Sequence, residues 1–453
     1  MKFKYILVLM TALAFTSCNN WLDVTPQGEV EGEDLLTNEK GYNAALNGIY
    51  YNLTSTTLYG KELSYGMMDV LAQYWDLSSK SKNSYYKQSQ FDYEDASAKS
   101  RFDAIWSAMY QGITQANYIL ESLESNRSSI KYSELIEGEA YALRAFMHME
   151  LAAMYGPVIE KEGDLDQACI SYRTSMLDYH SVLERRGDRM NLFAVKGLLM
   201  RLELALLNKP GAYEIADELI QLCKQNELFV LTNREDELYD KNLGEETILG
   251  FYKNDLWEVT KEVFGFEKGN QTDNFCINTN QYSIYLNDLY GRAPDGSGTD
   301  NRLRFWFGKP SNGGSYYIFS KLEETSYPGT IRLPYYPEIP ILRLAEVYYV
   351  ACETMIGKDN VKALGYLNDV RESRNLARLN GSYGNDEIME FLMREMRKDF
   401  IGEGRMFMIY KRLYKEFYVK QGVIIAPTKD KYIFPIPDDE YEFSPNESPK
   451  EEK

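Results

Sequence analysis

The sequence predicts a mainly α-helical protein in which helix hairpins form a frame for long irregular loops with a few short strands. Three observations carry this reading. Apolar residues recur at i, i+3 and i+4 over long stretches, as on one face of a helix. Several segments read as a helix, a short polar break and a second helix. Between them lie two stretches without helical period, 52–100 and 228–340, the second punctuated by glycine and proline. With 453 residues and 44% apolar content, the chain can bury a sizeable core and is too hydrophobic for a disordered one.

The elements follow in chain order. Lys2 and Lys4, the apolar run from Tyr5 to Phe15, and small residues before Cys18 read as a secretory signal over 1–17. Its apolar run is too short to span a bilayer. Cys18 after Thr16-Ser17 resembles the lipobox of bacterial lipoproteins, which implies removal of the signal and diacylation of the Cys18 thiol. Two acyl chains anchor stably where one is marginal. The rest, 18–453, is expected to be a single body. Residues 18–40 are a polar tether and start, with Pro26 and Gly28. A helical part over 41–227 begins with a helix at 41–52. The stripe Phe102, Ile105, Trp106, Met109, Ile113, Ala116, Leu120 and Leu123 marks a helix over 102–124. A second helix over 134–155 carries small residues Gly138, Ala142 and Ala145 where a neighbour can approach.

Two later pairs repeat the pattern. The spacing predicts helices over 190–207 and 212–225 around the turn 208–211, and over 340–356 and 361–377 around the turn 357–360. These are tetratricopeptide-like hairpins, but their starts at 102, 190 and 340 do not follow a repeat of about 34 residues, so they form a frame and not a regular solenoid. The loop-rich insertion spans 228–339 and the C-terminal helical part 340–453. A last helix runs from Asp386 as N-cap to Phe400, breaks at Gly402-Glu403-Gly404 and resumes to Phe417.

Composition excludes some functions. Lys and Arg number 50 against 68 Asp and Glu, a net charge of −18 that becomes −20 without Lys2 and Lys4. Nucleic-acid binding by phosphate neutralisation needs the opposite balance. Two histidines leave little room for His-based metal or catalytic centres. The apolar stretch 341–356 carries Arg343, Glu346 and Glu353, so it is no membrane span. Cys169, Cys223, Cys276 and Cys352 lie far apart; nothing in their spacing demands a disulfide, and they read as isolated core thiols. Tyrosine, at 37, outnumbers the 20 Phe and 5 Trp together.

Candidate chemistry beyond binding is thin. Glu245-Glu246 and Asp438-Asp439-Glu440 read as solvated acidic loops, because a glycosidase pair is defined by geometry that carboxylate counts do not supply. His148 sits mid-helix and His180 has no nucleophile beside it, so both read as structural. The segment 295–301 has oxygen ligands at alternate positions but lacks the distal glutamate of an EF-hand, and reads as a Gly-rich turn. No cofactor or metal is expected.

Six matches in order give the chain a resemblance to the SusD/RagB family of surface nutrient-binding lipoproteins. They are Ser17-Cys18-Asn19-Asn20-Trp21-Leu22-Asp23-Val24-Thr25-Pro26; Ala44-Ala45-Leu46-Asn47-Gly48-Ile49-Tyr50; Ala142-Leu143-Arg144-Ala145-Phe146 with Leu151 and Tyr155-Gly156-Pro157; Leu342-Arg343-Leu344-Ala345-Glu346-Val347-Tyr348 with Leu367-Asn368-Asp369-Val370-Arg371; Phe400 to Arg412; and Phe434-Pro435-Ile436-Pro437-Asp438-Asp439-Glu440. One departure marks a divergent subgroup. Where the family pattern after Glu403-Gly404 places arginine two residues after the glycine and aspartate five after it, this chain has Met406 and Ile409, with Arg405 one position early.

The resemblance implies a SusD-like fold and an outer-membrane protein, lipid-anchored at Cys18 and facing the cell exterior. It would capture a glycan or similar nutrient and deliver it to a SusC-like TonB-dependent transporter, with no catalysis. Sugar rings stack C–H faces on aromatic planes while their hydroxyls take polar partners. Two irregular segments fit that chemistry: Asp69, Gln73, Tyr74, Trp75, Tyr85 and Tyr86 in the first, and Tyr282, Tyr285, Arg292 and Trp306 in the second. The other reading of each ring is loop packing. Two rival functions stay open, a secreted glycoside hydrolase and a helix-hairpin scaffold that docks a peptide or protein.

Overall fold

The computed structural model describes residues 36–75, 77, 81–166, 189–226, 228–232, 241–264, 275, 277–278, 286, 289–290, 300–308, 316–323, 337–420 and 422–438. Helix α1 (Glu39–Leu53) starts where Asn38 Oδ1 accepts the Gly41 N–H at 3.1 Å, and it buries Tyr42, Leu46, Ile49 and Leu53 at helical spacing. Two short helices, α2 (Met67–Leu71) and α3 (Tyr86–Ser89), interrupt the first aperiodic stretch. Helix α4 (Ala96–Asn126) is capped by Asp95 and buries the whole expected stripe from Phe102 to Leu123. It pairs with α5 (Ser133–Tyr155), and α1 packs on both. Close approach is possible because Gly112 lacks a Cβ; one placed there would lie 2.5 Å from Met147 Sδ.

The second hairpin is α6 (Leu192–Ala205), capped by Asn191, and α7 (Lys209–Asn226). Lys209-Pro210-Gly211, expected in the turn, instead forms the first turn of α7. Proline suits that place because a first-turn N–H has no helical partner to lose. The third hairpin pairs α10 (Leu344–Met355) with α11 (Asn360–Ser373). Every residue of α10 is buried, between α7, α11 and α12 (Asn385–Asp399). The expected helix from Pro340 begins four residues late. Glu338–Arg343 is instead strand β5, antiparallel to β1 (Thr247–Tyr252), with Pro340 opposite Gly250. The insertion also holds α8 (Leu256–Phe264), α9 (Asn301–Trp306), and a small sheet in which β4 (Tyr316–Phe319) lies between β2 (Ile277–Asn278) and β3 (Phe307–Gly308).

Helix α12 is capped by Gly384, whose N–H donates to Glu387 Oε2 at 2.8 Å, so Asp386 lies in the first turn and is not the cap. After the turn Gly402-Glu403-Gly404, α13 (Arg405–Leu413) buries Met406, Phe407, Met408, Ile409 and Tyr410. The departure from the family pattern therefore falls inside the core. The helix ends at Leu413, short of Phe417, because Tyr414 turns left-handed at φ 46°; a hairpin of β6 (Phe417–Lys420) and β7 (Val423–Ile425) and the short α14 (Lys429–Tyr432) follow.

A buried ionic cluster joins the insertion to this frame. Arg302, Lys321, Arg343, Arg374 and Lys398 face Glu246, Asp300, Glu395, Asp399 and Glu403, all at most 5% exposed. Charges of opposite sign in equal number satisfy one another where water is absent. Glu246 was expected in a solvated loop; it is fully buried and accepts from Arg343, Arg374 and the Thr232 N–H. Cys223 and Cys352 are free and buried, and burial pushes the Cys223 thiol up to about 12. Cys18, Cys169 and Cys276 lie outside the described residues. Among the described residues no helix is long and apolar enough to cross a membrane.

Candidate functional site

A groove of about 420 Å³ lies between α5, α6, α10 and α13. Its walls include Met149, Ala153, Leu202, Leu206, Val350 and Met408, and two of its arginines are ion-paired, Arg201 with Glu346 and Arg412 with Glu353. Mostly apolar walls offer little to a polyhydroxylated ligand.

A different chemistry assembles where the first irregular segment meets the insertion. Trp75 stacks on Phe275 at 5.4 Å and 14°, and lies 5.6 Å from Phe264 and 5.8 Å from Phe319. Tyr85 reaches the same Phe275 at 5.6 Å. Each such pair is worth about 0.5–1.5 kcal/mol beyond its buried area. The platform draws its rings from α2's exit, α3's start, α8 and β4, so it forms only when segments distant in sequence come together.

The expected ligand residues fall into three groups. Asp69, Gln73, Tyr74, Trp75, Tyr85 and Trp306 are all buried, at 8% exposure or less. A ring at 2% exposure cannot offer its face to a sugar, so these six side chains do not line an open surface. Tyr74 donates to Arg397 O at 2.7 Å, and Arg397 answers with bonds to Ala72 O and Gln73 O at 2.9 Å. Gln73 donates to Ser89 O at 3.1 Å. Trp306 donates from Nε1 to Lys241 O at 3.0 Å, with Lys321 over its ring. Tyr86 is half-buried. Tyr282, Tyr285 and Arg292 lie outside the described residues.

Sequence reasoning missed Glu62 and Arg101. The Tyr85 hydroxyl donates to Glu62 Oε1 at 3.0 Å, Arg101 Nη1 donates to the same oxygen at 2.7 Å, and the guanidinium lies 4.3 Å from the Tyr85 ring centroid. Burial pushes the Glu62 carboxyl above its ordinary range, against the pull of Arg101. Nothing in the spacing of 62, 85 and 101 announces this trio, since two of its members lie in an aperiodic stretch. Trp75 Nε1–H is buried and has no hydrogen-bond partner among the described residues.

Asp69 has a structural task. Its carboxylate accepts the Gly402 N–H at 2.7 Å and the Gly404 N–H at 3.3 Å. Burial nevertheless pushes its carboxyl up to about 8, although the two N–H groups and Lys321 favour the charge; Glu403 opposes it. A carboxyl raised in the folded state stays protonated there while the unfolded chain ionises near its ordinary value. Folding stability is therefore expected to fall as pH rises from about 4 to about 8. Asp69→Asn, uncharged throughout, should flatten that slope; denaturant midpoints across the window check it, and equal slopes would contradict it.

The described residues show no other reactive constellation. No cluster of His, Cys, Asp or Glu among them could hold a metal. Asp300 of the Gly-rich turn caps α9 and pairs with Arg302 and Lys398, leaving it no role as a cation ligand. His148 Nδ1 lies 2.9 Å from Arg144 O, and Asp438 pairs with Lys99 at the surface. His180 lies outside the described residues.

Residues 20–178 match the family model described as starch-binding, associating with outer membrane, and residues 252–453 match the model of the SusD family. No curated protein matches the chain. Among solved structures, a SusD-like carbohydrate binding protein from Bacteroides vulgatus is 17% identical with a TM-score of 0.68, over 89% of this chain and 96% of that one. A SusD superfamily protein from Bacteroides thetaiotaomicron is 20% identical with a TM-score of 0.66, over 89% and 98%. A putative sugar binding protein from Bacteroides vulgatus is 20% identical with a TM-score of 0.64, over 90% and 96%. At these identities the likeness is one of fold.

Proposed function

The chain belongs to the SusD/RagB family, and from that premise we propose that it binds a glycan or similar nutrient, without turning it over, and passes it to a SusC-like TonB-dependent transporter. In this reading residues 1–17 are removed, diacylated Cys18 holds the body 18–453 to the outer membrane, and the loops face the cell exterior. The observation that carries the proposal is the aromatic platform where Trp75 meets Phe264, Phe275 and Phe319, which brings the first irregular segment against the insertion, the two stretches whose aromatic and polar residues suit a sugar. Tyr282, Tyr285 and Arg292, with half-buried Tyr86, are the ligand contacts of this reading. A binding role without chemistry is supported by the carboxylates of the ionic cluster, which are held by arginine and lysine and are not poised as an acid and base.

A glycan array probed with the body from Asn19 onward tests this. Retention of a restricted set of glycans, each recovered uncleaved, is expected. Blank results across a broad panel would contradict the glycan, and cleavage would favour the hydrolase.

A further inference from the structure

One turn is gripped from two sides by the two parts of the chain that meet at the aromatic platform. Gly402-Glu403-Gly404 links α12 to α13, with φ at +82° for Gly402 and +69° for Gly404. From the N-terminal side, Asp69 of α2 takes both glycine N–H groups. A Cβ on Gly404 would lie 2.1 Å from Leu63 O, so this glycine is pressed against the backbone that leads into α2. From the insertion side, Lys321, two residues after β4, donates to Asp399 O at 2.9 Å, to Ile401 O at 3.2 Å and to the Glu403 carboxylate. A Cβ on Gly402 would lie 3.0 Å from Phe319 Cε1, and Phe319 is the ring that meets Trp75 edge-on at 5.8 Å. Arg343 holds Glu403 Oε1 from a third direction at 2.9 Å. The N–H groups of the turn thus answer to the segment that carries Trp75, and its carbonyls and carboxylate to the segment that carries Phe319.

We propose that this turn is the junction that fixes the spacing of the segments that carry Trp75 and Phe319, and that Asp69 and Lys321 are positioning residues of the aromatic platform on which ligand binding depends. The proposal rests on the glycan reading for the word ligand, but not for the junction. Buried hydrogen bonds to a rigid turn hold a fixed geometry, and neither side chain needs to touch the ligand to set the spacing of the two segments. If both act through one turn, their effects do not add, because loss of either grip already frees the spacing.

The test uses the body from Asn19 with Asp69→Asn, Lys321→Met and the double variant, at a temperature where far-UV circular dichroism shows each folded. The first readout is ligand-free: acrylamide quenching of Trp75 fluorescence, isolated by difference from Trp75→Phe. Trp75 is expected to be shielded in the parent and accessible in each single variant. The second is affinity for the glycan best retained by the parent on the array. Each single variant should lose about tenfold, as a buried hydrogen bond is worth, with no further loss in the double, and Lys321→Arg should restore part of it. Should Lys321→Met fail to fold, Gly402→Ala presses Phe319 from the same turn and is expected to expose Trp75 likewise. Trp75 still shielded in the variants, or affinity losses that multiply, would overturn the junction. A parent that binds no glycan would overturn the glycan reading instead, and the quenching result would still decide the junction.

Discussion

Asp399→Ala is expected to cost about 3–5 kcal/mol of folding stability, the range for removing one member of a buried ion network. Its carboxylate accepts from Arg302 at 3.0 Å, from two nitrogens of Arg374 at 3.1 Å, and from the Tyr349 hydroxyl at 3.2 Å. All three of Asp399, Arg302 and Arg374 are fully buried. Their attraction holds the Asp399 carboxyl well below the ordinary carboxylate range despite the opposing effect of burial. Truncation leaves buried guanidinium groups in excess with no water to take the charge. Urea unfolding followed by circular dichroism reads the cost, and Asp399→Asn, which keeps shape and two hydrogen-bonding atoms, should fall between parent and alanine. A loss below about 1 kcal/mol, the level of an exposed pair, would mean that the cluster is hydrated.

Gly404→Ala should be nearly as damaging through the backbone. At φ +69° a side chain is strained wherever it is placed, and here the new carbon would meet Leu63 O at 2.1 Å and Leu63 C at 2.8 Å. Backbone atoms cannot rotate away as a side chain can, so α13 or the 63–64 segment must shift. A loss of about 3 kcal/mol or more is expected from strain and displaced packing together. Gly48→Ala is the matched control: nothing lies within 4 Å of its Cβ in mid-helix α1, and it should stabilise by about 0.5–1 kcal/mol. Similar midpoints for the two alanine variants would refute the close approach at Gly404.

The frame was legible because a buried helix face leaves a period in the sequence. The stripe from Phe102 to Leu123 and the helix from Glu134 to Tyr155 appear where the spacing places them. Local ambiguity explains the misses. Ile339-Pro340-Ile341-Leu342 is a short apolar run that strand and helix share, and only its distant partner, Gly250 opposite Pro340, makes it a strand. Pro210 marks a helix's first turn as readily as a loop. The site was legible in outline only. Trp75 and Tyr85, expected as ligand contacts, are packed against Phe275; a ring that stacks on a ligand and one that stacks on Phe275 have the same sequence signature. Glu62 with Arg101, and Lys321 with Glu403, are pairings across 39 and 82 residues that no local pattern encodes.

The central claim, as proposed, is that this body holds a glycan through Tyr282 and Tyr285 and leaves it intact. Isothermal titration of the best glycan from the array, with chromatography of the sugar afterwards, tests it most directly. Saturable binding, one intact sugar recovered, and affinity lost in Tyr282→Ala and Tyr285→Ala are predicted. Binding that survives both loop variants, or a cleaved sugar in the recovered fraction, would contradict it.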